Sequence, residues 1–318
     1  MGRTTRWVDV ATLASGAPLR LAFHEIAGAR GDGPTLGISA LIHGDEIVGV
    51  EVIRRVMAAT DPAALRGRLL LLPVANPLAF EALTRGTPLA VEVGNLNRVF
   101  PGDAAGDLVG RLAAVLTREF VGPLTHLLDL HGGGTHPLVD YGISLRDLEF
   151  GLAFGMRIVR ETRTYAGTMG ALAGEQGKPA FVAELGGGYV ADERYIEMGV
   201  RGVRNVMMRL EMIDGEPELP GEQLVVETVI GVRPGHGGLL VPALPLEALG
   251  TEVPAGTVLG RVISPFTFET LEELRAPFER SLIVLLRPAL TRVNPGDYAF
   301  MLADAGGMRR VSNGPRRA

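Results

Sequence analysis

With 318 residues, 47% of them hydrophobic, the chain is long enough to fill one large core, or a medium one and a small one. The formal net charge of -5 comes from interspersed acids and bases, without the basic stripe that follows a nucleic-acid backbone, so no nucleic-acid partner is expected. Cysteine is absent, which removes disulfides, thiol nucleophiles and thiolate metal sites and leaves metal binding to histidine and carboxylates.

The first ten residues carry Arg3, Arg6 and Asp9 in place of the apolar run of a secretory signal. Nowhere do about 18 uncharged apolar residues follow one another, so a cytoplasmic protein with no membrane partner is expected. Apolar runs of strand length at 35–42, 69–74, 125–130, 157–161 and 179–185 alternate with segments of helical period at 47–59, 107–120 and 192–213. This alternation predicts an α/β domain over 1–215, with a mixed, mostly parallel sheet flanked by helices. After Asp214-Gly215-Glu216-Pro217 the texture changes to short β-prone runs between turns such as Pro254-Ala255-Gly256 and Asn294-Pro295-Gly296-Asp297. These predict a smaller all-β domain over 216–306. Residues 307–318, with four arginines and little to bury, are expected to be a flexible tail.

Chemistry-bearing residues cluster at strand ends. The first predicted strand runs into His43-Gly44-Asp45-Glu46 and then a helix, which puts His43 and Glu46 where open α/β sheets hold their ligands. Their spacing lets both side chains converge if the turn is helical. Catalytic zinc commonly takes two histidines and a glutamate and leaves a position for water. A second strand ends in Asp129-Leu130-His131 before three glycines, with Asp129 on the face of His131 and able to orient its imidazole. A third ends in Ala183-Glu184-Leu185, and a glutamate beside zinc can take a proton from the attacking water and return it to the leaving nitrogen. Asn97 and Arg98 suit recognition of a carboxylate, and Arg85 suits stabilisation of an oxyanion. Singly, each has a plainer reading: a chance His-x-x-Glu match, a strand-end cap for His131, an exposed carboxylate for Glu184, surface charges for the arginines.

Taken in order, His-Gly-Asp-Glu at 43–46, Asn-Pro at 76–77, Thr-Arg at 84–85, Asn-Leu-Asn-Arg at 95–98, Asp-Leu-His at 129–131 and Glu-Leu-Gly at 184–186 resemble the succinylglutamate desuccinylase and aspartoacylase family, relatives of the zinc carboxypeptidases. The resemblance spans about 35–215, and the β-rich C-terminal part is similar to that family's second domain. It implies a zinc carboxypeptidase-like fold with one Zn2+ per chain held by His43, Glu46 and His131, and Glu184 as the catalytic acid and base. It further implies that Arg85, nine residues after Asn76, polarises the scissile carbonyl, and that Asn97 and Arg98 bind the substrate carboxylate. The implied activity is zinc-dependent hydrolysis of the amide bond of a small N-acyl amino acid, of deacetylase or desuccinylase type.

Two departures stand out: Asn95 replaces the aspartate of aspartoacylases, and Gly174 stands ten residues before Glu184, where aspartoacylase keeps an arginine for its substrate's acidic side chain. They turn the expectation toward a less acidic N-acyl amino acid. The C-terminal Pro-Gly turns and Leu274-Arg275-Ala276-Pro277 look like the barrel-sandwich of biotin and lipoyl carriers, but those need a lysine and the only one here is Lys178. Tyr298 is read as a packed aromatic, with reach into the active site as the alternative.

A serine hydrolase is excluded, since Leu41 and Arg146 stand where the second glycine of Gly-x-Ser-x-Gly would follow Ser39 and Ser144. Two rivals stay open, a zinc metallocarboxypeptidase acting on peptides and a non-catalytic zinc-binding adaptor. The added β domain speaks against the first, and the presence of both Glu184 and Arg85 against the second. A homo-oligomer is compatible with the sequence.

Overall fold

A computed structural model of the chain describes residues 2–88, 93–187 and 192–313. A hairpin of β1 (Gly2–Thr12) and β2 (Pro18–Ala27) opens the fold. β3 (Thr35–Ala40), α1 (Val48–Ala59), β4 (Arg68–Leu72) and α2 (Pro77–Ala82) follow, then the short pair β5 (Thr87–Pro88) and β6 (Val93–Gly94). Next come α3 (Leu108–Leu116), β7 (His126–His131), β8 (Leu138–Leu145), α4 (Leu148–Ala153), β9 (Ile158–Thr162), α5 (Met169–Glu175), β10 (Ala180–Gly186) and α6 (Asp192–Arg209). The five expected strands and three expected helices are all present, with ends displaced by a few residues.

The heart of the large sheet is parallel: β4, β3, β7 and β10 lie side by side. These strands are apolar almost throughout because both faces are covered. α1, α4 and α6 pack on one face, around Val52, Phe154 and Val203, while α3 and α5 pack on the other, around Leu112 and Met169. α1 shows why it forms: Val48, Val52, Ile53 and Val56 make one buried stripe, and Thr60 ends the helix by returning its hydroxyl to Val56 O at 2.8 Å. The two-residue period of a strand then assigns sides. Leu128, Leu130, Phe181 and Ala183 face the α1 side, whereas Leu127 and Val182 face α3 and α5. Asp129, His131 and Glu184 therefore share the second face.

The C-terminal region is built of strands: β11 (Glu222–Val226), β12 (Val229–Val232), β13 (Gly238–Pro242), β14 (Glu252–Pro254), β15 (Val258–Ile263), β16 (Thr270–Arg275), β17 (Arg280–Leu286), β18 (Thr291–Val293), β19 (Phe300–Asp304) and β20 (Arg309–Ser312). Four of them form a separate antiparallel sheet in the order β16-β15-β13-β18. The others extend the large sheet, with β11 parallel to β9 and β17 antiparallel to β8. Hydrogen bonding thus runs across the boundary expected at 215/216, because Leu224, Val226, Leu282 and Val284 bury in the same cluster as Ile143 and Leu145. The tail expected over 307–318 needs correction for the same reason: Arg309–Ser312 pairs with β11, and Arg310 reaches Glu222 at 2.6 Å. Residues 314–318 of that expectation lie outside the described residues. Among the described residues no helix is long and apolar enough to cross a membrane.

Candidate active site

Three parallel strands deliver the site to one edge of the sheet. β7 ends on His131, and Glu184 of β10 is its partner in register. β3 gives way to Leu41, fully buried and held at φ 55°, a backbone conformation uncommon for a leucine, which turns the chain toward His43.

The Asn-Pro pair has a local purpose. Asn76, fully buried, caps α2 by accepting from Ala79 N at 3.3 Å and donates Nδ2 to Ile42 O at 3.2 Å and to Thr87 Oγ1 at 2.8 Å. Pro77 sits in the first helical turn, where no N–H is needed. The pair therefore pins α2 to the backbone one residue before His43. Gly44 completes the junction: its N–H reaches Thr84 O at 2.9 Å, and a Cβ on it would stand 2.0 Å from the Ala79 carbonyl. Arg85 comes directly after this contact.

At the centre lies Glu46, with His43 Nδ1 2.8 Å from Oε1 and His131 Nδ1 2.8 Å from Oε2. Arg85 Nη1 donates to Oε1 at 2.9 Å and Gly132 N to Oε2 at 3.3 Å. His43, Glu46 and His131 are each at most 4% exposed. One donor atom from each lies within 4.8 Å of the others, so the trio could hold a metal ion. Both imidazoles turn Nδ1 inward and have Nε2 held from behind. His43 Nε2 is 3.3 Å from Asn95 Oδ1, and His131 Nε2 is 3.0 Å from Asp129 Oδ2. Asp129 is itself fixed by Ser39 Oγ at 2.8 Å. Ligand histidines are characteristically oriented this way through the far nitrogen.

Electrostatics follow from burial and these neighbours. Burial lowers the His43 pKa, with Glu46 opposing. Burial also disfavours a charge on His131, but Asp129 and Glu46 outweigh it and raise its pKa well above the ordinary value. Glu46 would be raised by burial, yet the two histidines hold it well below the usual carboxylate range. Glu184 lacks such compensation: burial, helped by Glu46 and Asp129 and opposed by His131 and Arg85, pushes it up to about 7. Glu184 and Arg85 both line a cavity of about 560 Å³, as do Tyr141, Tyr165 and Thr135.

Asn97 and Arg98 separate. Asn97 is buried, accepts from Met169 N at 3.0 Å and brings Nδ2 to 3.4 Å from His131 Nε2. Arg98 is exposed, donates to Asn97 O at 2.6 Å and lies over the Tyr165 ring, 5.3 Å from its centroid, without lining the cavity itself. The far side of the cavity comes from the C-terminal strands through Arg233, Arg287, Arg292 and Tyr298. Tyr298 is both packed and cavity-lining: the Arg233 guanidinium stacks 3.7 Å from its ring centroid, and Arg287 Nε donates to its carbonyl at 2.8 Å. Arg233, Arg287 and Arg292 are not among the site residues expected from the sequence. A signal was available for Arg287, which directly follows an apolar strand, much as His131 ends one.

A family model described as the succinylglutamate desuccinylase/aspartoacylase catalytic domain matches residues 32–210. The N-alpha-acetyl-L-2,4-diaminobutyric acid deacetylase of Halomonas elongata is 30% identical over 298 residues, which cover 86% of this chain and 83% of the relative. Among solved structures, the product-bound ectoine utilization protein EutE (DoeB) from Ruegeria pomeroyi has a TM-score of 0.83 at 25% identity over 96% of both chains. A succinylglutamate desuccinylase from Silicibacter sp. TM1040 has a TM-score of 0.81 at 24% identity over 95% of both, a likeness of fold.

Proposed function

Because the chain belongs to the succinylglutamate desuccinylase/aspartoacylase family, we propose that it is a zinc-dependent hydrolase of the amide bond in a small N-acyl amino acid. The observation that carries this reading is the position of Glu184, a carboxyl pushed up to about 7 that lines the cavity in register with His131. A structural metal site would need no such group.

His43, Glu46 and His131 would hold the metal. Two imidazoles and one carboxylate suit zinc, whereas magnesium and calcium favour oxygen donors alone. When bound, the metal supplies Lewis-acid polarisation of the acyl carbonyl and acidifies water enough for attack near neutral pH. Glu184 takes a proton from the attacking water as its oxygen adds to the acyl carbon. It returns that proton to the amide nitrogen as the C–N bond breaks, leaving a carboxylic acid and a free amine. Arg85, which lines the same cavity, would turn its guanidinium from Glu46 toward the carbonyl oxygen as that oxygen gains charge. Asn97 and Arg98 take the α-carboxylate in this reading, for which Arg98 leaves its bond to Asn97 O and turns past Tyr165.

The test is free-amine release by the zinc-loaded protein from a panel of N-acetyl, N-succinyl and N-formyl amino acids, N-acetyl-2,4-diaminobutyrate and short peptides. Turnover of an acyl amino acid that stops on chelation and returns with zinc is expected. Cleavage of peptides alone would move the protein to the carboxypeptidases, and no release with zinc bound would end the enzymatic reading.

A further inference from the structure

Two guanidinium groups on the C-terminal wall of the cavity make no salt bridge among the described residues. Arg287 directly follows β17, buried from Ser281 to Leu286, and is itself only 7% exposed. Its Nε donates to Tyr298 O at 2.8 Å and its Nη1 to Thr291 Oγ1 at 3.4 Å, both neutral acceptors. It forms no salt bridge among the described residues. Asp297, the acid on the same wall, has Oδ2 occupied by Asn294 N at 2.9 Å. Arg292 on β18 also lines the cavity, and its side chain has neither a hydrogen bond nor a salt bridge among the described residues. Arg233 differs, because its stack on Tyr298 and its bond to Gly296 O already use it.

A charge this buried, hydrogen-bonded only to neutral groups, is costly to keep unless a counter-ion completes it. Burial acts to lower the Arg287 pKa, with Asp297 opposing and Arg292 adding to the effect, as expected of two like charges side by side. The Tyr298 carbonyl fixes the Arg287 fork in place, so little side-chain freedom is lost when an anion docks.

We propose that Arg287 and Arg292 form a built subsite for a carboxylate of the substrate, in the cavity that Glu184 and Arg85 also line. The inference rests on the deacylase reading and narrows its substrate class. Since Asn97 and Arg98 take the α-carboxylate, the carboxylate here is the far end of a dicarboxylic acyl group or an acidic side chain of the amino acid. A diamino acid with a free ammonium near this wall meets like charge. The absence of an arginine at Gly174 pointed to a less acidic substrate, but the C-terminal strands supply cations from another direction.

The experiment uses pairs of substrates that differ only in carboxylate against carboxamide, one pair for each of the two sources, with the α-carboxylate kept in both members. In at least one pair the zinc-loaded enzyme should favour the carboxylate by about tenfold or more in kcat/KM, mainly through KM, which identifies the source. Arg292→Ala should cut that ratio about tenfold, and Arg287→Lys should cut it in part. Arg292 is exposed, so its variant does not put the fold at stake. Equal use of both members of every pair, or an equal slowing of both by Arg292→Ala, would overturn the subsite. If no acyl amino acid turns over, the deacylase reading fails by itself, and calorimetry with glutarate still decides the subsite: binding weakened about tenfold by Arg292→Ala supports it, and unchanged binding sinks it.

Discussion

As the proposed base, Glu184 would have to be ionised to accept a proton, yet its surroundings push its carboxyl up to about 7. The sign follows directly: below its pKa the group is protonated and cannot act as base, so kcat/KM falls tenfold per pH unit on the acid side. A cation held by His43, Glu46 and His131 favours the carboxylate, so in the zinc-loaded enzyme the acid limb should have its midpoint at or below pH 7. Glu184→Gln keeps the shape and removes the base, so kcat should fall about 10²- to 10⁴-fold with metal content by elemental analysis unchanged. Full activity in that variant would discard the mechanism. Asp129→Asn should leave chemistry possible but loosen the hold on His131, weakening zinc affinity about 10- to 100-fold in a competition titration with a chelator. At this scale the sequence was informative wherever a side chain ends an apolar strand, as with His131 and Glu184. It was silent where a role depends on main-chain atoms brought from elsewhere. Asn76 matters through Ile42 O, Asn97 through Met169 N and Arg287 through Tyr298 O, and no local pattern encodes such partners.

Elements hold these residues in place, and the tightest junction is between α2 and the turn at His43. Since a Cβ at Gly44 would stand 2.0 Å from the Ala79 carbonyl, which is backbone, Gly44→Ala has to push α2 away from the turn. The expected cost is about 2 to 3 kcal/mol in chemical denaturation, with weaker zinc binding because Glu46 and Arg85 lie on either side of the contact. β8 offers a pH test. Burial pushes Asp140 up to about 6, against the opposing pull of Arg194. A carboxyl raised in the folded state favours folding below its unfolded pKa, and this contribution is lost as pH rises through about 6. Asp140→Asn should therefore stabilise the protein by up to about 3 kcal/mol at pH 8 and change little at pH 4. Urea midpoints at the two pH values check this, and equal effects at both would show that the burial penalty is absent. Legibility at this scale tracked length and burial. Long apolar runs and α1 were evident, whereas α2, α4 and α5 have only six or seven residues, too short to show a helical period. β1 is exposed along most of its length and presents little alternation to read.

For the molecule as a whole, the change in sequence texture at Asp214-Gly215 suggests two domains, but hydrogen bonds and apolar contacts cross that point. β9 has β8 on one side and β11 on the other, while β17 extends the sheet beyond β8. Removing everything after residue 215 would turn β9 into a bare edge and uncover Ile143, Leu145 and Ile158, which now share a cluster with Leu224, Val226, Leu282 and Val284. It would also remove the wall that carries Arg287, Arg292 and Tyr298. A core shared in this way should unfold as one unit, so calorimetry of the full chain should give a single transition with equal calorimetric and van't Hoff enthalpies. A chain ending at residue 215 should aggregate or lack a cooperative transition. If it instead folds cooperatively and still binds zinc with its usual affinity, the C-terminal strands are an accessory to the catalytic part. Their contribution would then be confined to the cavity wall, where the substrate experiments with Arg292→Ala would measure it directly.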